Sequence, residues 1–148
     1  MIITDVDLLR VDCEDVKIDE IDSIRASLEK EMRFSYEMGR PGLGLAAPQI
    51  GIPKKMAIIR LVSNSGSKFD IDLINCKIEK SYNEFIFDNE GCLSFPNLNF
   101  KTKRFEEIYI VNNLVEPYSF IATGLLSVCI QHELDHLNKI LLTDRAVP

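Results

Sequence analysis

The chain has 148 residues, of which 46% are hydrophobic and 27% charged, with a formal net charge of −6. That length suits a single domain, residues 1–148, able to bury its own core without a disulfide or structural metal, and the balance excludes disordered, collagen-like and coiled-coil chains. Without clustered positive charge, direct nucleic-acid binding is not expected, and the short basic run Lys101–Arg104 reads as a solvated strand edge.

No apolar stretch approaches the roughly 18 residues of a membrane span, and Met1 to Asp7 has no basic segment of a signal peptide. A cytoplasmic protein is expected. Cys13, Cys76, Cys92 and Cys129 then read as reduced thiols rather than a disulfide framework.

In chain order, Ile21, Ile24, Leu28 and Met32 recur at helical spacing and predict a helix from about Asp19 to Met38. Asp19 would cap it, and Gly39 and Pro41 would end it. Gly42 to Pro53 is rich in glycine and proline yet otherwise apolar, which predicts an unsolvated loop. Met56–Val62 and Phe69–Ile74 read as a hairpin around Asn64–Ser67, and Lys77–Phe87 as a further extended segment. Glu106–Asn112 and Tyr118–Thr123 form another strand pair, joined by Asn113–Pro117. Leu125–Leu137 is a second helix, apolar nearly all round in its first half and therefore buried. The fold class is α+β, with small antiparallel sheets around a central buried helix.

The central helix carries Gln131-His132-Glu133-Leu134-Asp135-His136, an H-E-x-x-H pattern that holds both histidines of the chain. Residues four apart share a helical face, so both imidazoles can grip one metal ion, and Glu133 beside that face can take a proton from metal-bound water. A catalytic site of this kind needs a third protein ligand. Little chain follows His136, so the third ligand should lie upstream and be Cys, Asp or Glu. Cys129 lies seven residues from His136, about 10 Å along a helix axis, and reads as a small buried hydrophobe. Cys76 reads as core and Cys13 has no supporting context. Cys92, preceded by Gly91, is the leading candidate. Two imidazoles and a thiolate suit Zn²⁺, Fe²⁺, Co²⁺ or Ni²⁺.

Three segments together resemble the peptide deformylase family. Gly42-Leu43-Gly44-Leu45-Ala46-Ala47-Pro48-Gln49 is similar to its G-x-G-L-A-A-x-Q, Glu90-Gly91-Cys92-Leu93-Ser94 to its E-G-C-L-S, and Gln131 to His136 to its Q-H-E-x-D-H. The resemblance implies a metallohydrolase that removes the formyl group from N-terminal formylmethionine of new polypeptides. It implies that Cys92, His132 and His136 bind the metal, Fe²⁺ in the cell, with Zn²⁺ or Ni²⁺ often present after purification. It makes Glu133 the general acid/base, and Gln49 with the backbone N–H of Leu93 the oxyanion donors. Leu43, Gly44 and Gly91 would hold the extended substrate, and Leu125, Val128 and Cys129 would line the methionine pocket. From context alone Gln49 reads equally as a loop-capping amide, and Leu125 as core.

Members often have Asn-Pro after the return strand, where this chain has Asn75-Cys76, and an arginine shortly after E-G-C-L-S, where it has Asn97 to Phe100. Bacterial members often carry a C-terminal helix for docking at the ribosome. The tail Leu141–Pro148 is expected to hold no such helix, as in a compact variant of organellar or phage origin. Two other function classes share part of the pattern. A small zinc endopeptidase would use the same histidine pair, and a non-catalytic metal-binding module would need neither Glu133 nor Gln49.

Overall fold

The computed structural model describes residues 1–114 and 116–148. In chain order the elements are α1 (Val6–Leu9), α2 (Ile21–Glu37), β1 (Gly44–Ala46), β2 (Met56–Val62), β3 (Lys68–Ile74), β4 (Cys76–Cys92), β5 (Phe95–Asn112), β6 (Ser119–Thr123), α3 (Gly124–Leu137) and α4 (Leu142–Arg145). Part of the connection expected at Asn113–Pro117 lies outside the described residues.

Two antiparallel three-stranded sheets form, ordered β1-β2-β3 and β4-β5-β6. Met56-Ala57-Ile58-Ile59 is buried without interruption because the first sheet is covered on both faces. On one face Leu45, Met56 and Ile58 pack with Ile24 and Leu28 of α2. On the other, Ala46, Ala57 and Ile59 join Ile108 and Ile110 of the second sheet and Ile130, Leu134 and Leu137 of α3. The metal-type motif therefore sits on a helix wedged between two sheets.

The structure shifts several expectations. Helix α2 begins at Ile21, after a 3₁₀ turn over Ile18–Glu20, so Asp19 does not cap it. Glu20 reaches back instead and accepts the Lys17 N–H at 2.9 Å. Gly39 does close the helix, at φ +78°, where a side chain would be strained. The unsolvated loop contains strand β1, paired from Gly44↔Ile59 to Ala46↔Ala57, and a 3₁₀ turn over Ala47–Ile50.

The basic run Lys101–Arg104 is not a solvated edge, because β5 is the central strand of its sheet. Period-2 alternation points Lys101 and Lys103 outward, and puts Thr102 and Arg104 inside. In α3 burial is continuous from Ser127 to Leu137, whereas Leu125 is 43% exposed, so the first half of that helix is the less enclosed one. The tail makes one helical turn, α4, anchored by buried Leu141 and Leu142 and by Asp144 accepting the Leu141 N–H at 2.9 Å. Among the described residues, no helix is long and apolar enough to cross a membrane.

Candidate metal centre and active site

His132 and His136 lie one turn apart on α3, with ring centroids 5.1 Å from each other. Cys92 ends β4, and its Sγ lies 3.4 Å from His136 Nε2. One ligand atom from each of Cys92, His132 and His136 falls within a 4.8 Å set. Tetrahedral bonds of about 2.3 Å to sulfur and 2.0–2.1 Å to nitrogen place those two atoms roughly 3.5 Å apart. The observed thiol–imidazole spacing fits a shared ion. Cys129 is not part of the group; it is buried, and burial pushes its thiol up to about 12.

A bulge aims the β4 side chains. Phe87 pairs with Thr102 and Glu90 with Phe100, so β4 spends three steps where β5 spends two. The extra residue, with Asn89 at φ +64°, turns Glu90 into the interior, where it is 5% exposed. Glu90 Oε2 then meets His132 Nδ1 at 2.7 Å, which leaves His132 Nε2 as the nitrogen available to a metal. Arg104 donates to both Glu90 oxygens, from Nε at 2.8 Å and Nη2 at 2.6 Å, and Thr102 Oγ1 donates at 2.7 Å. Burial works to raise the Glu90 carboxyl, but the bonds from Arg104 and His132 outweigh it and hold it at about 2. Gln131 staples α3 to β5 by accepting the Phe105 N–H at 3.0 Å and donating to the Phe105 carbonyl at 2.8 Å.

Glu133 is 4% exposed, and its Oε1 has no hydrogen-bond partner among the described residues. Burial pushes this carboxyl up to about 7, which suits a group that must both take and give a proton near neutrality. A Cβ on Gly44 would sit 2.6 Å from Glu133 Oε2 and 2.9 Å from the Ile58 carbonyl oxygen, so only glycine leaves that carboxylate its place. Gln49, 1% exposed, accepts the Ala46 N–H at 2.9 Å through Oε1. Its Nε2 lies 3.0 Å from Ser94 Oγ and 3.5 Å from Cys92 Sγ. The capping role and the approach to the centre belong to opposite ends of one amide.

A cavity of about 430 Å³ opens onto this cluster, with His132, Glu133, Cys92 and Gln49 in its wall. Leu43, Gly44, Gly91, Leu125, Val128 and Cys129 line it as well. Leu93 lines it too, between Cys92 and Ser94. Sequence reasoning missed the Arg104–Glu90–His132 connection. The signals were the inward parity of Arg104 and a glutamate beside the Gly91-Cys92 pair.

The pattern of the polypeptide deformylase family matches residues 2–148. The chain belongs to that family. It is 38% identical over 126 residues to a peptide deformylase of Microchaete diplosiphon, covering 84% of this chain and 66% of that relative. It is 35% identical over 130 residues to the peptide deformylase of Rhizobium meliloti (strain 1021), covering 86% and 74%. The chain thus spans just under two thirds of the Microchaete diplosiphon relative's length. The peptide deformylase of Thermotoga maritima is similar in structure at a TM-score of 0.83 and 28% identity, covering 100% of this chain and 97% of that one. A peptide deformylase of Synechococcus elongatus, solved in complex with actinonin, is similar at a TM-score of 0.82 and 32% identity, covering 100% and 78%. The family's three motifs are the segments that meet around the cavity.

Proposed function

We propose that this chain hydrolyses the formyl amide of N-terminal formylmethionine on newly synthesised polypeptides, with residues 1–148 acting as one catalytic domain. The observation that carries the reading is the buried Glu133 Oε1, without a hydrogen-bond partner among the described residues, beside the Cys92–His132–His136 group at a substrate-sized cavity. Cys92, His132 and His136 would hold one divalent ion, Fe²⁺ in the cell, with Zn²⁺, Ni²⁺ or Co²⁺ as substitutes. When bound, such an ion polarises a carbonyl oxygen and acidifies a water molecule.

The protein's own groups do the rest. Glu133 takes the proton of the attacking water and delivers it to the departing amine nitrogen. Gln49 Nε2, its amide oriented by the Ala46 N–H, donates to the formyl oxygen as negative charge develops there. The Leu93 N–H is the second donor. The glycine-lined wall at Leu43, Gly44 and Gly91 admits an extended peptide at backbone distance, and Leu125, Val128 and Cys129 receive the methionine side chain.

The test is formate release from formyl-Met-Ala-Ser by protein loaded anaerobically with Fe²⁺, beside internal-bond cleavage of the unformylated peptide. Formate without internal cleavage supports the reading. Internal cleavage, or no formate from a protein carrying one ion per chain, overturns it.

A further inference from the structure

The segment Asp144–Val147 is held at four successive positions. Asp144 accepts two bonds from Arg10, at 2.7 Å from Nη1 and 3.0 Å from Nη2. Arg145 donates two to Asp135, from Nε to Oδ2 at 3.0 Å and from Nη2 to Oδ1 at 2.9 Å. Ala146 forms an antiparallel bridge with Thr102, and the Val147 N–H donates to the Lys101 carbonyl at 2.8 Å.

Two of these attachments converge on one carboxylate. Asp135 Oδ2 also accepts Arg104 Nη1 at 2.7 Å, and Arg104 grips both oxygens of Glu90. Thr102, bridged by Ala146, gives its hydroxyl to the same Glu90 at 2.7 Å. Glu90 in turn bonds His132 Nδ1 at 2.7 Å. Signs alternate along the run Arg145, Asp135, Arg104, Glu90. Arg104 and Glu90 are 2% and 5% exposed, and the Asp135 side chain 12%, so the bonds of Arg104 are weakly screened. The Arg145 side chain is 42% exposed, and its two-bond fork on the buried Asp135 is what makes that contact geometrically demanding.

We propose that Arg145 is a positioning residue for the metal centre: it fixes the Asp135 carboxylate and, through Arg104 and Glu90, the orientation of His132. The inference rests on the reading of Cys92, His132 and His136 as the metal-holding group. Asp135 Oδ2 serves two guanidinium groups at once, and only the Arg145 fork also occupies Oδ1. Without that fork the Asp135 carboxylate is free to rotate, and Arg104 follows it away from Glu90. Glu90 then holds the imidazole less firmly, which shows as faster metal loss.

Arg10 supplies the comparison, because its pair with Asp144 also clamps this segment but touches none of the four charges. The experiment uses Co²⁺-loaded full-length protein and follows the thiolate-to-cobalt absorption band after EDTA is added. Arg145→Met is expected to release Co²⁺ about fivefold faster than the parent. Arg10→Met should release it at the parental rate even where it lowers Tm. Arg145→Lys should restore part of the loss. In a Glu90→Gln background Arg145→Met should add little, because the connection is already cut.

A parental rate in Arg145→Met, an equal acceleration in Arg10→Met, or full additivity with Glu90→Gln overturns the proposal. If Arg145→Met does not fold, Arg145→Gln carries the same comparison with the charge removed and the polar reach retained. A parent protein that binds no Co²⁺ fails the underlying metal reading instead, which keeps the two failures apart.

Discussion

Glu90 Oε2 and His132 Nδ1 lie 2.7 Å apart, both enclosed between β4 and α3. The carboxylate is held at about 2, below its ordinary value of 4.5, despite burial that works the other way. A depressed folded value means stability that is complete above the unfolded value and lost as pH falls through the folded one. The metal-free protein should therefore lose stability between about pH 4.5 and 2. Glu90→Gln should flatten that limb of a Tm-against-pH curve and lower Tm at pH 7, because Arg104 loses one of its two counter-charges and keeps only Asp135. Parallel curves for the parent and Glu90→Gln would show that the pair does not carry the acid sensitivity.

Glu133 is raised where Glu90 is lowered, and the two carboxylates divide accordingly. On the proposed reading Glu90 stays ionised and orients His132, while Glu133, whose Oε1 has no partner among the described residues and whose value is about 7, would exchange protons. Glu133→Ala should keep its metal, read by elemental analysis, and lose about 10²–10⁴ in kcat. Near-parental turnover by the metal-loaded variant would remove Glu133 from the mechanism.

A methyl group added at Gly44 on β1 would meet both a carboxylate and a backbone oxygen, at 2.6 Å and 2.9 Å. The Ile58 carbonyl cannot yield without disturbing the β1–β2 pairing, so Glu133 must move. Gly44→Ala should lower kcat more than it raises KM, and should cost about 1–3 kcal/mol in urea unfolding. Parental kcat would mean that the carboxylate has room the structure does not show.

The fold class and the motif-bearing segments were legible because they rest on local signals. Hydrophobic periodicity marked α2, an all-round apolar run marked α3, and apolar β-branched runs flanking a turn marked β2 and β3. The boundaries that failed depend on tertiary partners. β1 is three residues long and exists because β2 offers it an edge. Arg104 looked solvated in a basic run because strand position, not composition, decides which residues of such a run face inward. Elimination and family resemblance make Cys92 the leading candidate for the third ligand, but the bulge that aims Glu90 depends on pairing with Phe100, ten residues later. No spacing rule within the β4 segment carries that information.

Val128 and Leu125 lie three residues apart on α3, one buried and one 43% exposed, and both line the cavity one turn or more before His132. On the proposed reading a methionine side chain entering between them would be removed from water while the adjoining formyl group meets the Cys92–His132–His136 cluster. Burying a methionine side chain contributes about 1.5–3 kcal/mol. Formyl-Met-Ala should therefore exceed formyl-Ala-Ala by about ten- to a hundredfold in kcat/KM. Val128→Phe fills the space from the buried side and should reduce that ratio with metal content unchanged. Leu125→Ala, at the exposed side, should reduce it less, because part of the Leu125 side chain already faces solvent. The measurement is kcat/KM for both peptides on all three proteins. Equal rates on the two peptides by the parent would show that the wall at Leu125, Val128 and Cys129 does not read methionine. An unchanged ratio in Val128→Phe, with the protein folded and loaded, would place the methionine side chain elsewhere in the cavity.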